Sequence, residues 1–248
     1  MPGKYIYCFI KEKDGVNLSS SSFAGIISPV YTMPYKEISA VVSNTDVYEF
    51  DPTRKNILNH QRVITKVMEK YTVIPVAFGT VANNKQEIEN IIVTNYDELL
   101  HQLEFLENKS EVGLKVRWTD EFFNEDIESE EISRLKKKID GKEEEEVLPE
   151  KILLGQLVQK SVESKKEQYL EDIYEKLSKL AVSSKQKDGI SIKSVFTASF
   201  LVKDEESEQF DLEVEKIYEK YKDKLIFDYT GPWPPYNFVD LRIKPGTT

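Results

Sequence analysis

One cysteine, Cys8, and two histidines, His60 and His101, are all that 248 residues supply of either type. A single thiol excludes an intrachain disulfide and any multi-thiolate metal site, and it fits a reducing compartment. Two histidines exclude a three-histidine metal site and leave little for a histidine-based catalytic pair. The ten glycines form neither a G-x-G-x-x-G nor a Walker pattern. Phe78-Gly79-Thr80 holds a lone turn glycine, and Gly189-Ile190-Ser191-Ile192-Lys193 begins like a nucleophile elbow without its closing glycine. No apolar run approaches the roughly 18 residues of a membrane span, and the first one, residues 5–10, is too short for the core of a signal peptide. Positive charge is also scarce: 34 Lys plus Arg stand against 44 Asp plus Glu, a net charge of −10. That balance argues against general affinity for phosphate backbones or anionic lipid.

What is present suits a folded chain of two ordinary domains or one large one, because 40% hydrophobic residues fill real cores at this length. Residues 4–10 alternate aromatic and aliphatic side chains and predict a strand; residues 18–22 read as a polar Ser-rich loop, and residues 38–43 as a second strand. Asp51 is the expected cap of a helix with Pro52 in its first turn, whose stripe is Ile57, Gln61, Ile64, Val67, Met68 and Tyr71. Residues 72–78 predict a strand that Pro75 confines to an edge or a bulge. Helices near 85–93 and 96–107 complete an α+β layer, which sets an N-terminal domain at residues 1–109.

The second domain, residues 110–248, opens with a strand at 111–118. An insertion at 120–150 follows, with 13 acidic against 5 basic residues, expected as a solvated segment, part helix and part loop. Pro149 starts a long helix carrying Leu153, Leu157, Tyr169, Ile173, Leu177 and Leu180. Asp188-Gly189 forms a turn, residues 190–192 and 195–202 are strands, 206–221 a helix and 225–229 a strand. The order β, α, β, β, α, β is that of a split βαβ unit. The expected fold is therefore α+β in two domains, the second a modified ferredoxin-like antiparallel sheet with an acidic insertion.

Each candidate for chemistry has a structural reading that outweighs it. His60 lies beside the apolar stripe and His101 amid Leu99, Leu100 and Leu103, so both are read as structural. The run from Glu143 to Glu146 lacks calcium-loop spacing and reads as a solvated face. Phe196 and Phe200 share one strand face with Ala198 between them, as in RNA-binding sheets. The following residues 203–222 carry 8 acids against 4 bases, however, and the pair is read as core. No catalytic, cofactor-binding or metal-ligating residue is assigned.

The segment 230–241, placed with the second domain, is different. Pro232, Pro234 and Pro235 remove three backbone donors and hold the chain extended, so Trp233, Tyr236, Phe238 and the preceding Tyr229 ride on a stiff strip that loses little entropy on docking. It is either a belt across the protein's own domains or a docking strip for a partner. Residues 237–243 alternate and predict a final strand.

Taken together, YIYCFI at 5–10, ISAVVSN at 38–44, NHQRVITKVMEKYTVIPVAFGTV at 59–81, VGLKVRW at 112–118 and YTGPWPPYNFV at 229–239 resemble the gas vesicle accessory proteins of the GvpF/GvpL family, more closely its GvpF branch. The resemblance runs nearly end to end, the insertion excepted. It implies two α+β domains and a non-catalytic role in building gas vesicles, the hollow protein shells that give buoyancy. It also implies the hydrophobic shell subunit GvpA and other accessory proteins as partners, in the cytoplasm and the gas vesicle, without cofactor, nucleic acid or membrane. The alternative is a cytoplasmic ferredoxin-like RNA-binding protein or enzyme. A basic sheet face, or a deep pocket gathering His60 with carboxylates, would mark it.

Overall fold

Six consecutive residues, Tyr5 to Ile10, are each at most 1% exposed in the computed structural model, which describes residues 2–23, 26–187, 189 and 191–239. A run buried without alternation needs cover on both faces of its sheet. The strand that holds it, β1 (Gly3–Lys11), lies inside a sheet with β2 (Asn17–Phe23), β3 (Ile26–Tyr35), β4 (Ile38–Thr45) and β5 (Val73–Pro75) in the order β2-β3-β4-β1-β5, while β6 (Val81–Ala82) also pairs with β1. The antiparallel register with β4 runs from Gly3↔Thr45 to Lys11↔Ile38 and slips between Ile6 and Cys8, leaving Tyr7 as a bulge. Helix α1 (Arg54–Met68) brings Val63, Ile64 and Val67 onto Tyr5, Tyr7, Cys8, Ile10 and Val41. That leaves Ile6 and Phe9 for the face covered by α2 (Lys85–Thr94) and α3 (Tyr96–Leu106), which bury Ile88, Ile92, Leu99 and Leu103.

Burial on both faces forces the polar groups of this core to find partners inside it. The Tyr5 hydroxyl accepts from the Gly79 N–H at 3.0 Å and donates to His60 Nδ1 at 2.9 Å; His60 Nε2 then donates to the Val76 carbonyl at 3.0 Å. The Val76 carbonyl can only accept, so Nε2 carries a proton; in the neutral ring that burial favours, Nδ1 is left to accept from the Tyr5 hydroxyl. His60 is 2% exposed, stacks on Tyr7 with centroids 5.7 Å apart, and burial lowers its pKa from 6.5 to about 4. The same burial raises the Tyr5 phenol and the Cys8 thiol well above their usual ranges.

The second unit is built on β7 (Lys109–Trp118). Two short helices follow, α4 (Asp120–Ile127) and α5 (Glu130–Ile139), then α6 (Leu148–Tyr169), which continues through one π-helical turn at Leu170–Tyr174 into α7 (Glu175–Ser178). Next come β8 (Ser183–Lys187), β9 (Ser194–Lys203), α8 (Ser207–Tyr221) and β10 (Leu225–Trp233), with sheet order β10-β7-β9-β8. Phe196 and Phe200 are fully buried here with Phe210, Ile173 and Leu177, in line with their reading as core.

The acidic insertion is tied into this core more firmly than a solvated loop would be. Phe123, Ile127, Ile132 and Val147 are all buried. Asp126, its carboxylate 8% exposed, accepts from Trp118 Nε1 at 2.9 Å and from the Tyr169 hydroxyl at 2.8 Å through Oδ2, while Lys165 lies 3.2 Å from Oδ1. One carboxylate thus pins α4 to both β7 and α6, and two aromatic donors depend on it.

Several elements differ from expectation. Asp51 is not the cap of α1: Thr53 is, its hydroxyl accepting from the Asn56 N–H at 3.3 Å, and the Asp51 carbonyl accepts from the Asn56 side chain at 3.0 Å. The Ser-rich 18–22 stretch lies in edge strand β2, held by backbone pairing to β3, which went unrecognised behind Pro29 and Pro34. The strand paired with β9 is Ser183–Lys187, whereas residues 191–193 form a turn with Ile192 55% exposed. Ile190 and Asp188 lie outside the described residues. The predicted last strand is a 3-10 turn at Tyr236–Phe238, and residues 240–243 fall outside the described range. The division of the chain places Met1–Glu111 and Pro232–Thr248 in one unit and Val112–Gly231 in the other, so most of the 230–241 strip goes with the first unit and not the second.

Two predictions rest on these networks. A histidine held neutral contributes stability that is full above its unfolded pKa of 6.5 and is lost as pH falls toward about 4. Chemical denaturation should therefore show the first unit losing about 2 kcal/mol between about pH 7.5 and about pH 5 from His60 alone. In His60→Gln, less stable at the upper pH, that part of the slope should vanish. For the second unit, Asp126→Ala should cost about 2–4 kcal/mol by leaving Trp118 Nε1 and the Tyr169 hydroxyl unpaired. Asp126→Asn, whose amide oxygen still accepts, should cost about half as much in the same melts.

Candidate functional site

The strip of seven residues singled out in the sequence is divided by the structure. Tyr229, on β10, donates to Asp211 Oδ1 at 2.6 Å, and burial followed by that carboxylate raises its phenol well above the usual range. Pro232 is exposed, and Trp233 is 43% exposed. From Pro234 the chain turns inward: Pro234, Pro235 and Phe238 are buried, and the Tyr236 ring packs against the cluster of Tyr5, Tyr7 and Cys8. The Tyr236 hydroxyl is inaccessible to water and has no hydrogen-bond partner among the described residues, an internal cost of about 1–3 kcal/mol that the packing offsets. Glu111 fixes the turn, one carboxylate oxygen accepting from the Asn237 N–H at 2.9 Å and the other from its side-chain amide. Gln102 Nε2 donates to the Phe238 carbonyl at 3.1 Å. Four of the strip's residues are therefore fastened into the first unit, and Trp233 is its one large side chain open to solvent.

The other flagged residues gather no chemistry. Both ring nitrogens of His60 are engaged, while His101 is exposed on α3. Glu143, Glu145 and Glu146 are exposed, and among the described residues no group of three or more His, Cys, Asp or Glu is placed to hold a metal ion.

A concavity that the sequence reading passed over lies in the first unit. It has a volume of about 370 Å³ and sits where the chain leaves β4 and enters α1. Its walls include the exposed Asp46, Glu49 and Asp51, the half-buried Phe50, and Asn44 and Asn56. His60 does not line it, although its partner Tyr5 does. Val47, 39% exposed, also lines it; its neighbour Tyr48, 50% exposed, does not, and the Tyr48 ring lies so close to Gly3 that a Cβ there would stand 3.0 Å from it. The available signal was the stretch NTDVYEFD, where acids alternate with apolar and aromatic residues between a strand and a helix.

Comparison with known proteins gives this geometry its context. The family described as gas vesicle synthesis protein GvpL/GvpF matches residues 3–240. Gas vesicle protein F of Haloferax mediterranei is 28% identical over 242 residues, covering 96% of this chain and 94% of the relative. The crystal structure of the gas vesicle protein GvpF from Anabaena sp. superposes with a TM-score of 0.84 at 21% identity, covering 98% of this chain and 100% of that one. That of Microcystis aeruginosa gives 0.81 at 21%, with 97% and 100% covered. Two units of mixed helix and antiparallel sheet, matched from the first strand to the end of the proline strip, make this chain a member of the GvpL/GvpF family of gas vesicle proteins.

Proposed function

We propose that this protein is a non-catalytic accessory of gas vesicle assembly that binds the small hydrophobic shell subunit GvpA, and other accessory proteins, in the cytoplasm and at the growing vesicle. The observation that carries this reading is the family match over residues 3–240. What supports the binding mode is the character of the surface. A chain of net charge −10 stays dispersed in water, yet it exposes separate apolar side chains: Trp233 at 43%, and Leu148 and Ile152 at the start of α6 at 52% and 56%. Such a body covers the apolar face of a partner while its own acidic surface keeps the pair soluble. Trp233 is the strip residue suited to this, since it is already outside and the rigid prolines around it limit the entropy lost on docking.

Calorimetric titration with purified, soluble shell subunit tests the reading. Binding is expected in the micromolar range. Trp233→Ala should weaken it by about tenfold or more, which is about 1.4 kcal/mol, without moving the thermal midpoint. No binding at micromolar concentration in low and moderate salt would remove the mechanism. A fall in thermal midpoint with unchanged affinity would return Trp233 to a purely structural role.

A further inference from the structure

We infer that the bare face of the second unit's sheet, carrying Lys115, Arg117, Lys185 and Lys187, docks the run Glu143 to Glu146 of a second copy of this protein, so that copies associate head to tail. This contact goes beyond the accessory reading and needs no shell subunit.

The sheet has one face inside the core and one outside it. Val112, Leu114, Val116 and Trp118 of β7, with Phe196, Ala198 and Phe200 of β9, share a core with side chains of α4, α6, α7 and α8. Side chains alternate along a strand, so Lys115, Arg117, Thr197 and Ser199 point to the opposite face. β8 adds to it: Lys187 pairs with Thr197 and Lys185 with Ser199, and residues directly opposite across two strands share a face. Lys115, Arg117 and Lys187 are exposed and Lys185 is half-buried. Phe227 and Tyr229 of β10 pack on the core, which turns Asp228 to the same outer face, 4.0 Å from Arg117. Both partners of that pair are exposed, and it contributes little. Four cations beside Asp228 leave this face positive on a chain of net charge −10.

The chemistry of the occupant follows from what the face offers and what it lacks. A single-stranded nucleic acid needs exposed rings on which bases stack, and here Phe196 and Phe200 face the core. A flat sheet gives little enclosure to a small anion. A rigid array of carboxylates suits it, and this chain presents one: Glu143, Glu145 and Glu146 are exposed on a 3-10 turn that the Glu146 N–H closes by donating to the Glu143 carbonyl at 3.2 Å. At about 2 Å of rise per residue, Glu143 and Glu146 stand about 6 Å apart along the turn. At about 3.4 Å per residue, Lys115 and Arg117, like Lys185 and Lys187, stand about 6.8 Å apart along their strands. Two carboxylates therefore meet two cations in step.

The run lies between α5 and α6, and α5 packs on α6, so it belongs to the helical layer on the far side of the sheet from the cations. The two surfaces meet only between copies. Each pairing leaves one of each unfilled, which makes the contact heterologous and lets it continue into rows or rings. A Debye length of about 8 Å at physiological salt mutes repulsion between the acidic bodies and preserves attraction between patches in contact.

Sedimentation velocity on the full chain, over about a hundredfold range of concentration, tests this at about 0.15 M and about 1 M salt, where the Debye length falls from about 8 Å to about 3 Å. At the lower salt the weight-average sedimentation coefficient should rise with concentration and pass that of a dimer; at the higher salt the same rise should need at least tenfold more protein. Two charge reversals follow, Lys115→Glu with Arg117→Glu and Lys187→Glu on the sheet, and Glu143→Lys with Glu145→Lys and Glu146→Lys on the run. Each alone should associate at least tenfold more weakly than wild type. An equimolar mixture of the two should recover the association, because each surface of one is again opposite in charge to its target on the other. A wild type that stays monomeric, or that is indifferent to salt, overturns the inference; so does association that neither reversal weakens or that mixing does not restore. If a reversal fails to fold, glutamine at the same positions decides: at least tenfold loss in both neutral variants supports the contact, and loss in only one or neither overturns it. Association that stops at a dimer overturns it in favour of a two-fold contact. Labelled oligouridine bound by wild type and lost in the sheet reversal, without self-association, overturns it in favour of a nucleic acid. Shell subunit is in no arm, so these outcomes leave the accessory reading untouched.

Discussion

A strand buried on both faces must satisfy from within the protein every polar group it carries, and the first unit is organised around that constraint. β1 brings Tyr5 and Tyr7 into a core otherwise filled by Val63, Ile64 and Val67 of α1, so the Tyr5 hydroxyl needs internal partners. It finds them in Gly79 and His60, which locks the loop after β5 and the middle of α1 to the same point. The proline strip is drawn into this arrangement, Tyr236 packing on the same cluster and Asn237 bound by Glu111. Histidine is here a structural donor and acceptor, and its neutrality follows from its burial.

The second unit solves a comparable problem with a carboxylate. Trp118 and Tyr169 bury large apolar rings, their centroids 5.8 Å apart edge to face, and each has one polar atom to place. Asp126 serves both, and it comes from the inserted segment. The insertion is therefore acidic outside and bound into the unit's core inside. Its surface charge hides in the sequence the four buried apolar residues that anchor it.

Much of this was legible beforehand. Strands β1 and β4 stood out as short continuous runs of aromatic and aliphatic residues, β7 by its alternation, β9 by its apolar content, and helices α1, α2, α3 and α8 because burial of one face imposes a period of 3.6 on their apolar residues. What escaped notice was the interior strand β3, masked by Pro29 and Pro34, and otherwise elements at edges and ends. Strands β2 and β8 are edge strands with the sequences NLSSSSF and SSKQK, where backbone pairing supplies the stability and side chains give no apolar signal. The strip's stiffness was readable from three prolines, but its division into an exposed Trp233 and a buried Tyr236 depends on tertiary packing that no local pattern encodes. The acidic pocket was invisible for a similar reason: Tyr5 and Asp46 are distant in sequence, and only the pairing of β1 with β4 brings their surroundings together.

On the proposed function the partner meets the outside of the protein, while β1 and residues 234–238 hold the first unit's core together. Hydrogen–deuterium exchange of the full chain, alone and saturated with shell subunit, tests this most directly. Amides of β1 and of residues 234–238 should be equally protected in both states, while that of the exposed Trp233 should exchange more slowly only in the complex. Faster exchange in β1 or at 234–238 on binding, with no slowing at Trp233, would mean that the partner opens the core and takes the strip, and would contradict the account.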